Sequence, residues 1–338
     1  SNLLSEGHLR SYLAARGGIK PIREFPLLAL LGGDLPGAIE TRLEADANVD
    51  GAPAGKAGVG AKQRARPLRF SLAGVQLKFS ALAEANGGLT IPVSGSGGDW
   101  IVKLPSARFS SVPEHEHVML DLASAVGITV PAHRLVPLDE IDGLPRDLGP
   151  ISGQALAVER FDRGANGARV HIEDFAQVFG RYPEQKYGAA SSENIARVLW
   201  AEAGLDDCLE LVRRLAFVVL TGNGDMHLKN WSLRYEHPGA PRLSPAYDLV
   251  GTVAFLPEAH LGLKLGGQSA MRAVTMDAFS SLAAKVGLPT AGVEQIVEET
   301  VRRFRDAWRH HPSLATLPKE QRTTLGRHAR SVPLWRVV

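Results

Sequence analysis

The chain has 338 residues, about twice the length of an ordinary single domain, which points to two lobes. Its 38 Lys and Arg against 36 Asp and Glu leave a formal charge of +2, which argues against a chain dominated by a nucleic-acid stripe or a polybasic membrane surface. The lone Cys208 excludes an intramolecular disulfide and a multi-Cys zinc or iron–sulfur centre, and no apolar run approaches the roughly 18 residues of a membrane-spanning helix, so a reducing, cytoplasmic setting is expected.

The start, Ser1-Asn2-Leu3-Leu4, has neither the basic nor the apolar stretch of a signal peptide, and no initiator Met, as in a processed chain or a piece of a longer one. Residues 1–45 read as short helices, with Leu9, Tyr12, Leu13 and then Leu27, Leu28, Leu31 at helical spacing. Residues 50–66, rich in Gly, Ala and basic side chains and without periodicity, read as a flexible loop. From 67 to 103 the pattern turns to strands: Leu68, Phe70 and Leu72 alternate with polar residues, then come 76–83, 89–91 and 100–103. A helix is predicted at 113–126, with Pro113 near its start and Gly127 at its end, followed by strands near 132–137 and 153–161.

Beyond residue 170 the predicted helices are 172–180, 191–203, 206–221, 274–286, 290–311 and 314–331, interrupted by a strand region at 231–235 with 243–248. The expected fold class is α+β, with a β-rich N-terminal lobe over 1–160 and a helical C-terminal lobe over 161–338. Within the first lobe, 67–160 is the β-rich part.

The most informative segment is Thr221-Gly-Asn-Gly-Asp225-Met-His227-Leu-Lys229-Asn230, which follows an apolar helix and precedes an apolar run. An Asp and an Asn five apart in a Gly-rich loop can face one point, the Asp accepting a hydroxyl proton and the Asn oxygen binding Mg²⁺. Asp248, in Ser244-Pro-Ala-Tyr-Asp248, could supply a second hard oxygen ligand. Asn223, Asp225 and Asn230 also suit plain turn and cap positions, a common job for these residue types.

Lys103 ends an apolar strand, where a lysine can reach nucleotide phosphates or snorkel from an edge. Glu114 or Glu116 on the next helix could orient it. The small-residue turn containing Ser71, Gly74 and Gln76, ahead of Lys78, could cover phosphates with backbone N–H groups. It lacks Gly-x-x-x-x-Gly-Lys-Ser/Thr, which disfavours a Walker-type NTPase. Gly95 to Gly98 reads as a hairpin turn. The run Val158-Glu159-Arg-Phe161-Asp-Arg163 closes a strand; in a bilobal kinase the hinge backbone would meet adenine here, and without that context it is a plain strand end. His115 and His117 do not make His-Glu-x-x-His, because Met119 stands where the second His would be.

Taken together, Asn2-Leu-Leu-Ser-Glu-Gly7, Leu30-Leu-Gly-Gly-Asp-Leu-Pro-Gly37, Ser71-Leu-Ala-Gly-Val-Gln-Leu-Lys78, Trp100-Ile-Val-Lys-Leu-Pro105, Val158-Glu-Arg-Phe-Asp-Arg163, Ile172-Glu-Asp-Phe-Ala-Gln177, Gly222-Asn-Gly-Asp-Met-His-Leu-Lys-Asn230 and Ser244-Pro-Ala-Tyr-Asp248 resemble the HipA family of serine/threonine-kinase toxins. The resemblance implies a bilobal protein-kinase-like fold using ATP and Mg²⁺. By matching position, Asp225 resembles the catalytic base, Asn230 and Asp248 the metal ligands, and Lys103 the phosphate-binding lysine. Lys78, Gly74, Gln76, His227 and Lys229 fall in the nucleotide-binding motifs, Glu159 and Phe161 at the adenine hinge, and Ser71 at the autophosphorylated loop serine.

The resemblance further implies a helix-turn-helix, HipB-like antitoxin as partner, DNA contact only through it, no membrane, and an aminoacyl-tRNA synthetase as a typical target, with persistence as the outcome. Full-length members carry a further small β-rich subdomain before the Asn-Leu-Leu segment. The chain starts at that segment, as it would in the short, HipT-like form, where the subdomain is a separate protein, and equally in a truncated chain. Ser5 stands where proline is usual, and Ala189-Ala-Ser where Gly-Gly-Pro is. Two other readings stand beside this one: a small-molecule kinase of the aminoglycoside-phosphotransferase type, whose Gly-Asp-x-His-x-x-Asn loop overlaps Gly224 to Asn230, and a non-catalytic corepressor module.

Overall fold

The structure is a computed structural model that describes residues 2–4, 6–42, 77–84, 87–92, 98–105, 111–145, 148, 151–256 and 260–337. The expected loop at 50–66, the strand at 68–72, most of the Gly95–Gly98 turn, and Ser71, Gly74 and Gln76 lie outside these residues. The chain forms two compact units, Ser1–Ser110 with Arg134–His171 and Ser111–His133 with Ile172–Val338. The boundary drawn at 160 from sequence therefore differs from the contact boundary. The helix at 112–125 goes with the second unit because it packs on helices late in the chain. Among the described residues, no helix is long and apolar enough to cross a membrane.

In the first unit, helices α1 (Gly7–Arg16) and α2 (Glu24–Leu31) precede a six-stranded sheet. Its strands are β1 (Lys78–Ala83), β2 (Leu89–Thr90), β3 (Trp100–Lys103), β4 (His133–Pro137), β5 (Ile141–Asp142) and β6 (Gln154–Glu159), in the order β4-β6-β3-β1-β2-β5. β1, β3 and β6 pair antiparallel, placing Phe79, Val102 and Ala157 in one cross-strand row and Lys78, Lys103 and Leu156 in the next. Side chains alternate along a strand, so the two rows face opposite sides. The first row packs with Leu9, Leu13, Leu27 and Leu31 of the helices as the core of this unit.

The run after β6 is a buried ion network. The Arg160 guanidinium spans Asp162 through Nε and Nη2, both at 2.9 Å, and its Nη1 reaches Asp34 Oδ1 at 2.9 Å and Ser80 Oγ at 3.0 Å. Arg163 reaches the same two carboxylates, at 2.8 and 2.9 Å, and the Gly37 N–H donates to Asp162 Oδ2 at 2.8 Å. Two motifs far apart in sequence, Gly32 to Gly37 and Glu159 to Arg163, thus close on each other.

The second unit contains α3 (Val112–Ala125), β7 (His171–Asp174), α4 (Phe175–Val178), α5 (Ser192–Glu202), α6 (Leu205–Thr221), β8 (Ser232–His237), β9 (Ala240–Leu243), the hairpin β10 (His260–Leu265) with β11 (Gln268–Ala270), α7 (Met276–Val286), α8 (Thr290–His310) and α9 (Lys319–Ser331). α3 stops at Gly127, φ 90°, where the sequence predicts it. α6 is the hub, buried from Leu211 to Thr221 except for Arg213, and packed on α5, α8 and α9, with Phe217 edge-on to Phe304 of α8.

Three predicted elements change. The helix expected at 172–180 is strand β7 followed by one turn, α4, because Asp174 and Gln177 close a capping box. The strand expected at 243–248 ends at Leu243: Pro245 has no N–H to donate, and Asp248 leaves the extended region at φ 53°. The helix expected at 314–331 is a 3-10 turn, Pro312–Thr316, then α9, separated at Pro318. The β10–β11 hairpin was not anticipated.

Candidate active site

The segment from Gly222 to Asn230 is held at every turn. α6 ends at Gly222, φ 69°, where a Cβ would stand 2.5 Å from Val253 Cγ2 and 2.9 Å from His328 Cδ2. Both backbone conformation and space therefore require glycine there. Asn223 Oδ1 accepts the Asp225 N–H at 3.1 Å, an Asx turn. The Gly224 N–H donates to Thr252 Oγ1 at 2.8 Å, and that hydroxyl donates to the Gly222 carbonyl at 3.0 Å. β10 lies against the loop: a Cβ at Gly224 would meet the His260 carbonyl oxygen, and one at Gly262 the Met226 carbonyl oxygen, each at 2.7 Å.

This frame presents the Asp225 side chain, 57 % exposed, on a loop that is buried apart from it and the half-buried Gly224. The Tyr187 hydroxyl donates to its Oδ1. His227 Nε2 lies 4.0 Å from the same oxygen, and the Tyr187 ring stands edge-on to the His227 ring with centroids 5.0 Å apart. Asn230 Nδ2 donates to the Asp225 carbonyl at 2.8 Å, which commits the amide nitrogen and leaves Oδ1 as the acceptor a hard cation would use.

Asp248 is half-buried and one of two non-glycine residues with positive φ among the described residues. Aspartate tolerates that region better than most, yet it is an uncommon conformation that needs support. Tyr247 and Gly251 supply it. The Tyr247 hydroxyl, 2.6 Å from Ser232 Oγ, donates to the Lys229 carbonyl at 2.9 Å. This sets the residue before Asp248 beside the residue before Asn230. Burial, and then the charges of Asp174 and Asp248, push the Tyr247 hydroxyl well above its ordinary pKa and keep it a neutral donor.

The Gly251 N–H donates to His115 Nε2 at 2.9 Å, and His115 Nδ1 meets Gln321 Oε1 at 2.9 Å. The amide oxygen only accepts, so the ring carries its proton on Nδ1 and is neutral. Burial pushes its pKa down to about 4, against the opposing effect of its hydrogen bond to Gln321. From sequence His115 figures only as half of a zinc motif that it does not complete; its positioning role is missed because its partners lie 136 and 206 residues away.

In the first unit, Lys78 and Lys103 stand directly opposite each other on neighbouring strands, 8 % and 5 % exposed. Lys103 is thus a buried central-strand lysine and not a snorkelling edge residue. Glu159 is exposed at the end of β6 and Phe161 is half-buried. Glu116 is buried and Glu114 half-buried, both on α3. Cys208 is buried, and burial, with the Asp207 charge, pushes its thiol up to about 12, which makes it inert. The structure thus brings Asp225, His227 and Asn230 together and sets Asp248 beside them through Tyr247. The residues that sequence reasoning missed here are Tyr187, Tyr247, Thr252 and His115.

Residues 70–308 match the family model described as HipA-like C-terminal domain, and residues 1–42 the one described as HipA N-terminal domain. The protein named "Putative kinase Y4dM" of Sinorhizobium fredii is 48% identical over 99% of this chain and 82% of its own length. "Putative kinase Y4mE" of the same organism is 32% identical, over 85% of this chain and 72% of its own. Among solved structures, the Shewanella oneidensis complex of HipA, HipB and operator DNA contains a chain that superposes with TM-score 0.72 over 99% of this chain and 83% of that one, at 21% identity.

Proposed function

The chain belongs to the HipA-like family, and on that premise we propose that it is an ATP- and Mg²⁺-dependent protein kinase acting on serine or threonine hydroxyls, the toxin of a toxin–antitoxin pair. The observation that carries this reading is the Gly222–Asn230 loop, which exposes one carboxylate, Asp225, while tying the Asn230 amide nitrogen to the Asp225 carbonyl.

Asp225 would align the acceptor hydroxyl and take up its proton as the new O–P bond forms and the bond from the γ-phosphorus to the bridging oxygen breaks, with ADP as the leaving group. Tyr187 would hold the carboxylate oxygen in place until the substrate hydroxyl arrives. Asn230 Oδ1 and the Asp248 carboxylate suit Mg²⁺, which when bound offsets the charge of the polyphosphate. Lys78 and Lys103, like charges facing each other on adjacent strands, suit an anion of high charge such as a triphosphate. Glu159 and Phe161 would flank adenine, and Lys229 and His227 would complete the catalytic loop. Autophosphorylation at Ser71, a HipB-like antitoxin and an aminoacyl-tRNA synthetase target follow from the family resemblance.

Asp225→Asn tests the reading. Phosphate transfer from ATP to protein should fall by at least about 10²-fold while the circular dichroism spectrum is unchanged. Retained transfer would refute the assignment. Transfer to small alcohols but not to proteins would favour the aminoglycoside-phosphotransferase reading instead.

A further inference from the structure

Away from that loop, three side chains of the second unit form a cluster the phosphotransfer reading does not use. His117 and Asp121 lie four residues apart on one face of α3, and His133 comes after the helix has ended at Ala125. Asp121 Oδ2 stands 3.6 Å from His117 Nε2, and Oδ1 stands 3.1 Å from His133 Nε2. One donor atom from each residue lies within 4.8 Å of the other two. Nitrogen and oxygen ligands at about 2.0–2.1 Å from a tetrahedral ion are separated from each other by about 3.3 Å, so both shorter spacings already match a shared ion.

The hydrogen bonding points the same way. His133 Nδ1 lies 2.9 Å from the Pro131 carbonyl oxygen. A carbonyl can only accept, so that nitrogen carries a proton; Nε2 in turn donates to the Asp121 carboxylate, and it is the atom from which an ion would displace a proton, on a ring already oriented as metal-ligating histidines typically are. His117 is different. Its Nδ1 is buried without a partner, and 3.6 Å from Nε2 to the carboxylate is too long for a hydrogen bond. Among the described residues, a ring with 21 % side-chain exposure thus makes no hydrogen bond through either nitrogen. The titratable groups that act on it are Asp121, His133 and His311, and the first two place donor atoms within reach of a shared ion.

We propose that His117, Asp121 and His133 form a binding site for a divalent late transition metal, Zn²⁺ being the natural occupant of two imidazoles and one carboxylate. The fourth position is open to water. The donor set separates it from the oxygen-only Asn230 and Asp248, which suit Mg²⁺. The bound ion would fasten the segment after α3 to the helix. His115, two residues before His117, is committed to Gly251 and Gln321 and takes no part.

The test uses the full chain without a histidine tag, stripped with EDTA, in excess Mg²⁺. Titration with Zn²⁺ followed by calorimetry should show an equivalent that is lost, or weakened more than about tenfold, in His117→Gln, Asp121→Asn and His133→Gln, and kept in Asp225→Asn. Co²⁺ at the same site should give visible ligand-field absorption. Circular dichroism checks that each variant is folded, and the single variants act through different residues. Absence of Zn²⁺ binding in excess metal, or unchanged affinity in all three variants, would overturn the proposal and leave the three side chains as an ion-pair cluster only.

Discussion

Replacing Arg160 with methionine should destabilise the first unit more than any surface substitution. The methionine keeps most of the stem volume and removes the guanidinium, whose side chain is 0 % exposed. Asp34, at 1 %, and Asp162, at 7 %, then lose Arg160 and keep Arg163 as a shared cation, and Asp162 Oδ1 loses its hydrogen bond from Nε. Breaking a buried pair by removing one partner costs about 3–5 kcal/mol, because the remaining charge is stranded. Arg163, Ser80 and the Gly37 N–H remain, so about 3 kcal/mol is expected. For a unit of this size that lowers the melting midpoint by about 6–12 °C.

Calorimetry of the variant against the wild type reads this directly. Adding Asp162→Asn to the variant removes the stranded anion and should recover part of the loss. A cost below about 1 kcal/mol, or a double variant no better than the single, would refute the argument. Acid gives a second readout. Burial raises the Asp162 pKa, but the hydrogen bonds and charges of Arg160, then Arg163, more than offset this and hold it below its ordinary 3.8. The folded state therefore binds its proton less readily than the unfolded chain. The stability this contributes is complete above 3.8 and is lost as pH falls below that value through the folded pKa. The wild type should show this acid-labile part and Arg160→Met should lose most of it.

Two further predictions concern the loop and its supports. His115, with a folded pKa of about 4 against 6.5 unfolded, binds fewer protons folded than unfolded between those values, so stability should fall by about 3 kcal/mol as pH drops from 6.5 to 4. Urea midpoints at several pH values should show this dependence reduced in His115→Gln; an unchanged profile would reject the assignment. Gly222→Ala combines a positive φ with a Cβ 2.5 Å from Val253 and should cost about 2–4 kcal/mol, whereas Gly239→Ala, with φ 74° but nothing within 4 Å, should cost about 1 kcal/mol. Equal urea midpoints for the two variants would show that the close approach to Val253 does not matter.

Much of the fold was legible because the signals were local. Gly127 ends α3 where a left-handed cap is expected, and the apolar spacing of Leu211 to Leu220 gives a helix whose buried side anchors the Gly222–Asn230 loop. The failures were local rules overridden by residues elsewhere. Ile172 to Asp174 lie in a stretch with helix-like spacing, but pairing with β8 draws them into a strand. The β10–β11 hairpin offered no clean alternation, since His260 and Gln268 are exposed and the ladder slips between His260 and Leu265. Its place in the fold follows from Gly262 and Gly224, which admit a close approach of two backbones that no pattern of apolar residues records.

The site divides in the same way, and the division has a physical cause. Asp225 and Asn230 were legible because both sit in one loop, where spacing alone limits what they can face. Asn223 turned out to fill the plain turn role that its residue type suggests, which frees Asp225 from it. The supports were not legible. Tyr247 acts through a hydroxyl on Lys229, His115 through a ring nitrogen on Gly251, and Thr252 through a hydroxyl shared by Gly222 and Gly224. Each fixes backbone and not side chain, so its partner can be any residue and leaves no motif. The cluster at His117 fails to announce itself for a related reason. Its first two members have helical spacing, but the third arrives only after the helix has stopped at Gly127 and the chain has turned back along it. A reading by motif finds the residues that touch a ligand. The groups that hold those residues still are recovered only when every buried N–H and carbonyl has been accounted for.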